Sequence, residues 1–136
     1  MDEIVTYLFN LALKNKIGVE ATNLLSPEAP SIAVADERKI IINLNWPNKN
    51  ELPFQIAHEI SHILNHDDGV LYYTTYASQS KIEANANLTA IELLATYYQD
   101  CFDFENINPV RFMQTFGIPL NLEYQVTDKL TEIFGI

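Results

Sequence analysis

Ile4, Val5, Leu8, Leu11 and Ala12 fall on one stripe at helical spacing, which predicts a helix over residues 3–16. Asp2 stands where an N-cap is expected. Lys14 and Lys16 suit the negative end of the helix dipole, and Gly18 can stop the helix. A short helix is expected at 20–25, closed by Ser26-Pro27. The pattern then changes character. Ile32 and Val34, followed by Ile40, Ile41, Ile42 and Leu44, favour extended chain on either side of an Asp36-Glu37 turn, so residues 31–45 read as a hairpin. Trp46-Pro47-Asn48 breaks it. Helical spacing returns over 51–64, where Phe54, Ile56, Ala57, Ile60, Ile63 and Leu64 supply apolar surface and Pro53 is acceptable in the first turn. His66-Asp67-Asp68-Gly69 reads as the exit, and 70–80 as a polar loop rich in tyrosine. Three more helices are expected, at 81–98, at 109–116 between Asn108-Pro109 and Gly117-Ile118-Pro119, and at 122–134. These elements predict one domain over residues 1–136, of α+β class. It is mostly helical, with a small antiparallel sheet packed on the 51–64 helix.

Composition narrows the range of function. The chain has 136 residues, enough for one hydrophobic core, and 48% of them are apolar. Eighteen acidic residues against eight Lys and Arg give a net charge of −10. That balance argues against direct nucleic-acid binding, which needs a basic face, but suits docking on a basic protein. Cys101 is the single cysteine, so no intrachain disulfide can form. It follows Tyr97-Tyr98 and is expected in the core. The acidic start Met1-Asp2-Glu3 does not read as a secretory signal, and no apolar run approaches the ~18 residues of a membrane span. The expectation is a soluble cytoplasmic protein with no membrane contact.

The 51–64 helix carries His58-Glu59-Ile60-Ser61-His62, the pattern H-E-x-x-H. Histidines four apart lie one turn above each other on one face and can share a metal ion, with the intervening Glu beside the open position as a proton acceptor. A catalytic zinc needs a third protein ligand. His66 shares the face, but stands about 12 Å along the axis from His58, too far for one ion. The longer motif that ends in a third histidine is absent, because Asn65 and Asp68 occupy its Gly and His positions. Asp67, Asp68, Glu83 and Glu92 are the carboxylate candidates. The two aspartates follow the helix too closely to curl back easily, and Glu92 lies off the face that carries Glu83. Glu83, 21 residues past His62, is therefore the expected third ligand. Asn87, one turn further on, is placed to hydrogen-bond a liganding histidine.

Two blocks, His58-Glu59-Ile60-Ser61-His62-Ile63-Leu64-Asn65-His66 and Glu83-Ala84-Asn85-Ala86-Asn87-Leu88-Thr89-Ala90-Ile91-Glu92-Leu93-Leu94, resemble the ImmA/IrrE-type metallopeptidases of bacteria, phages and mobile elements. Most of the chain is similar in layout, including Phe116-Gly117-Ile118-Pro119, although only the two blocks are specific. Thr89 replaces the family's usual Phe, and Asn85 its usual second Glu. The resemblance implies a zincin-like fold, a Zn2+ cofactor on His58, His62 and Glu83, and Glu59 as general base. It implies hydrolysis of a peptide bond by zinc-activated water, with Glu59 passing the proton on to the leaving amine. A second donor to the oxyanion is expected from His66 or from a tyrosine of the following loop, Tyr72, Tyr73 or Tyr76. It further implies a protein substrate on a separate chain, a DNA-binding repressor of helix-turn-helix type. The alternative is a zinc-bound binding module that sequesters such a partner without cutting it. A structural zinc site is the weakest reading, since such sites usually close with four protein ligands.

Overall fold

The structure is a computed structural model that describes residues 2–67, 76–101 and 107–135. In chain order it places helix α1 (Glu3–Lys14), strands β1 (Gly18–Thr22), β2 (Ile32–Val34) and β3 (Lys39–Asn43), and helices α2 (Leu52–Leu64), α3 (Tyr76–Cys101), α4 (Pro109–Phe116) and α5 (Glu123–Phe134). The fold is α+β and mostly helical, as its periodicity predicts.

The sheet has the order β1-β3-β2. The predicted hairpin forms: β2 runs antiparallel to β3, with Ile32 opposite Ile41 and Val34 opposite Lys39. Its turn is a 3-10 segment, Ala35–Glu37, closed by Arg38 in the left-handed region at φ 46°. The expected helix at 20–25 does not form. Residues Gly18–Thr22 instead pair in parallel with Lys39–Asn43, so the sheet is mixed rather than antiparallel. Six residues make too short a helix to stand without tertiary support. An unpaired β3 edge next to β-branched Val19 and Thr22 offers the backbone a ladder instead. Central strand β3 buries Ile40 and Ile42 completely.

Helix α2 is buried along most of its length, with Ile56, Ala57 and Ile60 at zero exposure. It packs against α3 on one side and against α1, β2 and β3 on others. Helix α3 begins earlier and ends later than its spacing predicts. Its inner face is Ala86, Ala90, Ile91, Leu94 and Ala95. These small residues, alternating with large ones, bring its backbone close to α2. Cys101 is exposed, which corrects its assignment to the core. Tyr97 and Tyr98 fill the interior one turn earlier, and Tyr98 stacks edge-on with Phe112 and Phe116 of α4. Across the helices, Lys129 of α5 reaches Glu92 of α3 at 2.8 Å.

Asn108 caps α4 as expected, accepting from the amides of Val110 and Arg111. Asp2 occupies the N-cap position of α1 but makes no side-chain capping bond. Gly117 ends α4 at φ 70°, where a Cβ would lie 1.9 Å from the carbonyl oxygen of Asn50 and 2.6 Å from Glu51 Cα. Only glycine fits there, and its contact sets the end of α4 against the chain leading into α2. Among the described residues no helix is long and apolar enough to cross a membrane.

Candidate metal centre

Helix α2 presents His58 and His62 on one face, and α3 brings Glu83 across to them. His58 Nε2 and His62 Nε2 lie 3.2 Å apart. Glu83 Oε2 is 2.9 Å from the first, and its Oε1 is 3.1 Å from the second. Ligands about 2.0–2.1 Å from a tetrahedral ion stand about 3.3 Å from one another, so these separations are those of one face of such a site. These three residues can hold a metal ion. The sequence places the two histidines together by helical spacing. Glu83 arrives from another element, and its choice over Glu92 agrees with the geometry, since Glu92 pairs with Lys129 instead.

The surroundings favour metal-binding protonation states. Burial, then the neighbouring His62, lower the His58 pKa, against the opposing pull of Glu83 and of a side-chain hydrogen bond to Asn87. A neutral imidazole is the ligating form. His58 Nδ1 and Gln55 Oε1 are both buried and have no hydrogen-bond partner among the described residues. His62 Nδ1 lies 2.9 Å from Asp67 Oδ2, which fixes that ring with Nε2 turned toward Glu83. Sequence spacing discounted Asp67 as too near the helix end. It does curl back, because His66 adopts a left-handed conformation at φ 56°. Asp67 reaches the outer nitrogen of His62, and so supports the ring rather than completing the ligand set.

Glu59 is buried, and its Oε2 has no hydrogen-bond partner among the described residues. Burial first, and the Glu83 carboxylate second, push its carboxyl up to about 8. It lines a cavity of about 370 Å³ together with His58, Glu83 and Asn87. The rest of its described lining is Pro30, Ser31, Trp46, Phe54, Gln55 and Pro119. Two anchors shape this part of the lining. Trp46 Nε1 donates to Glu51 Oε1 at 2.7 Å. The fully buried Asn43 holds the 26–31 loop, donating from its backbone N–H to Ser31 Oγ and from its side chain to the carbonyls of Ser26 and Ala29.

His66 is exposed and does not line the cavity, so the structure does not bring it to the cluster. Tyr72, Tyr73 and Asp68 lie outside the described residues, and Tyr76 is described only as the opening of α3. Thr89, which departs from the resembled pattern, donates to Asn65 Oδ1 at 3.2 Å and so ties α3 to the end of α2. The sequence reading missed Trp46, Gln55 and Pro119. Trp46 looks like a strand breaker and Pro119 like a helix stop, and nothing in their spacing marks a cavity wall. The chain was compared with protein-family profiles, with curated proteins and with solved structures, and none of them matches it.

Proposed function

We propose that this protein is a zinc-dependent endopeptidase of ImmA/IrrE-like type, with His58, His62 and Glu83 as ligands and Glu59 as general base. One observation carries the reading: Glu83, from a separate helix, lies within 3.1 Å of both histidine nitrogens, while Glu59 faces the same cavity. The donor set fits a dication. Two imidazoles and one carboxylate leave a coordination position free, which is the catalytic and not the structural pattern. When bound, the metal would polarise a peptide carbonyl and activate water.

The chain's own residues supply the rest. Asp67 holds the His62 ring, so that His62 ligates through Nε2. With His58 Nε2 on the metal, its Nδ1 carries the proton. Glu59 accepts a proton from the attacking water at its buried carboxylate and delivers it to the leaving nitrogen. Its raised pKa suits both steps, and a cation beside Glu83 would bring its ionised form within reach at neutral pH. Burial of this carboxylate in a cleft is hard to explain as a stabilising feature, since one of its oxygens has no partner among the described residues. In this reading the fold is zincin-like, and the packing of the motif helix α2 against β2, β3 and α3 supports it. The substrate in this reading is a protein on another chain, a DNA-binding repressor, which would meet an acidic surface.

The test is metal analysis with cleavage of a reporter peptide library. The wild type should bind one zinc, His58→Ala and Glu83→Ala should lose it, and Glu59→Gln should keep it while turnover falls at least about 100-fold. Retained turnover in Glu59→Gln, or unchanged zinc in Glu83→Ala, would overturn the assignment.

A further inference from the structure

The described lining of the cavity mixes two kinds of group. Glu59, Glu83 and His58 are its titratable members, and Pro30, Trp46, Phe54 and Pro119 give it apolar wall. Among the described residues no Lys or Arg lines it. We propose that this apolar wall is a subsite for one uncharged apolar side chain, aromatic or branched aliphatic, borne by the residue next to the attacked carbonyl of a polypeptide. The proposal rests on the peptidase reading for the neighbouring carbonyl, but the subsite itself can be tested without catalysis.

Three features carry it. Its size is the first: about 370 Å³ is near the lower limit for ligand pockets, enough for one or two residues beside the ligand cluster and no more. Charge is the second. The described lining offers an acidic side chain two carboxylates and no Lys or Arg, so an uncharged side chain fits this wall and an acidic one does not. Pre-organisation is the third. Trp46 is fixed by Glu51, the 26–31 loop by Asn43, and two of the four apolar walls are prolines, so little ordering is left to oppose binding. Phe54 is also linked to the ligand cluster, with its ring 6.0 Å from that of His58. A side chain seated against Phe54 is therefore next to the reacting centre.

Trp46 is the only tryptophan in the chain and lines the cavity, so its emission reports occupancy of the apolar wall. The full chain should be titrated with the N-acetyl amides of phenylalanine, leucine, glycine, aspartate and lysine, with zinc uptake measured separately by chelator competition. The phenylalanine and leucine amides should shift Trp46 emission saturably, at least about 10-fold more tightly than the other three. One buried apolar side chain gives a difference of this size. Pro119→Glu places a carboxylate on an exposed wall, and should weaken the phenylalanine amide at least about 10-fold. Equal or tighter binding of the lysine amide to the wild type would mean that the carboxylates select the ligand, and would overturn the proposal. So would the absence of any saturable shift. Apolar selectivity without zinc uptake would leave the subsite standing and remove the peptidase reading. Zinc uptake without apolar selectivity would do the reverse.

Discussion

Gly117→Ala is the sharpest probe of how the fold positions α2. Two effects add. An L-residue at φ 70° costs about 1–2 kcal/mol in backbone conformation. The new Cβ would also meet backbone atoms, 1.9 Å from Asn50 O and 2.6 Å from Asn50 C and Glu51 Cα, which no rotamer can relieve. Real Cβ contacts stay beyond 3.0 Å, so the two segments must separate by about 1 Å. The neighbours of Gly117, Phe116 and Ile118, are buried, at 0% and 5% exposure. Re-exposing about 80 Å² of their surface would add about 2 kcal/mol at about 25 cal/mol per Å². The expected loss is about 3–4 kcal/mol, or a fall in Tm of about 10–15 °C for a domain of this size. Gly135 provides the control. It has φ 71° but nothing within 4 Å of an added Cβ, so Gly135→Ala should lose only the conformational part. Urea unfolding followed by circular dichroism gives both numbers. Equal losses in the two variants, or a loss under about 0.5 kcal/mol at Gly117, would refute the steric argument.

Asp67→Ala should weaken zinc binding about 10–100-fold while leaving the ligands in place, as read by chelator competition; unchanged affinity would show that His62 needs no support. Asn43→Ala should destabilise the protein by about 2–3 kcal/mol, because the carbonyls of Ser26 and Ala29 lose their buried donor, and denaturant titration would show it. In chelator-treated protein, Glu59 has a folded-state pKa of about 8 against an ordinary value of 4.5. Its contribution is therefore fully present below about pH 4.5 and is lost as pH rises toward 8. Glu59→Gln should remove that loss, making the stripped variant more stable than the stripped wild type by up to about 3 kcal/mol at pH 7; parallel pH–stability curves would contradict this.

Much of this molecule is legible in its sequence, and the exceptions share a cause. Helices α1, α4 and α5 follow from apolar spacing and from Asn108 and Gly117, which act within a few residues of themselves. The β2–β3 hairpin is equally local. Strand β1 is not, because its partner lies some twenty residues downstream and its five residues carry little pattern of their own. The same division runs through the site. His58, Glu59 and His62 are related by helical geometry alone, and Glu83 and Asn87 share a face of the next helix. Asp67 escapes because its reach depends on one left-handed residue, His66, and backbone handedness at a histidine leaves no trace in composition. Trp46, Gln55 and Pro119 come from three separate places in the chain and meet only once the tertiary structure has formed.

Asn43 shows how function and fold can be confused in such a protein. It is fully buried and is not one of the ligand cluster, yet it ties Ser26, Ala29 and Ser31 to the central strand and so sets one wall of the cavity. A saturation mutagenesis screen scored only on activity would rank Asn43 with His58 and Glu83. A parallel screen for abundance would separate them: substitutions at Asn43 should lower the amount of protein, and substitutions at the ligands should leave the amount intact while abolishing the readout.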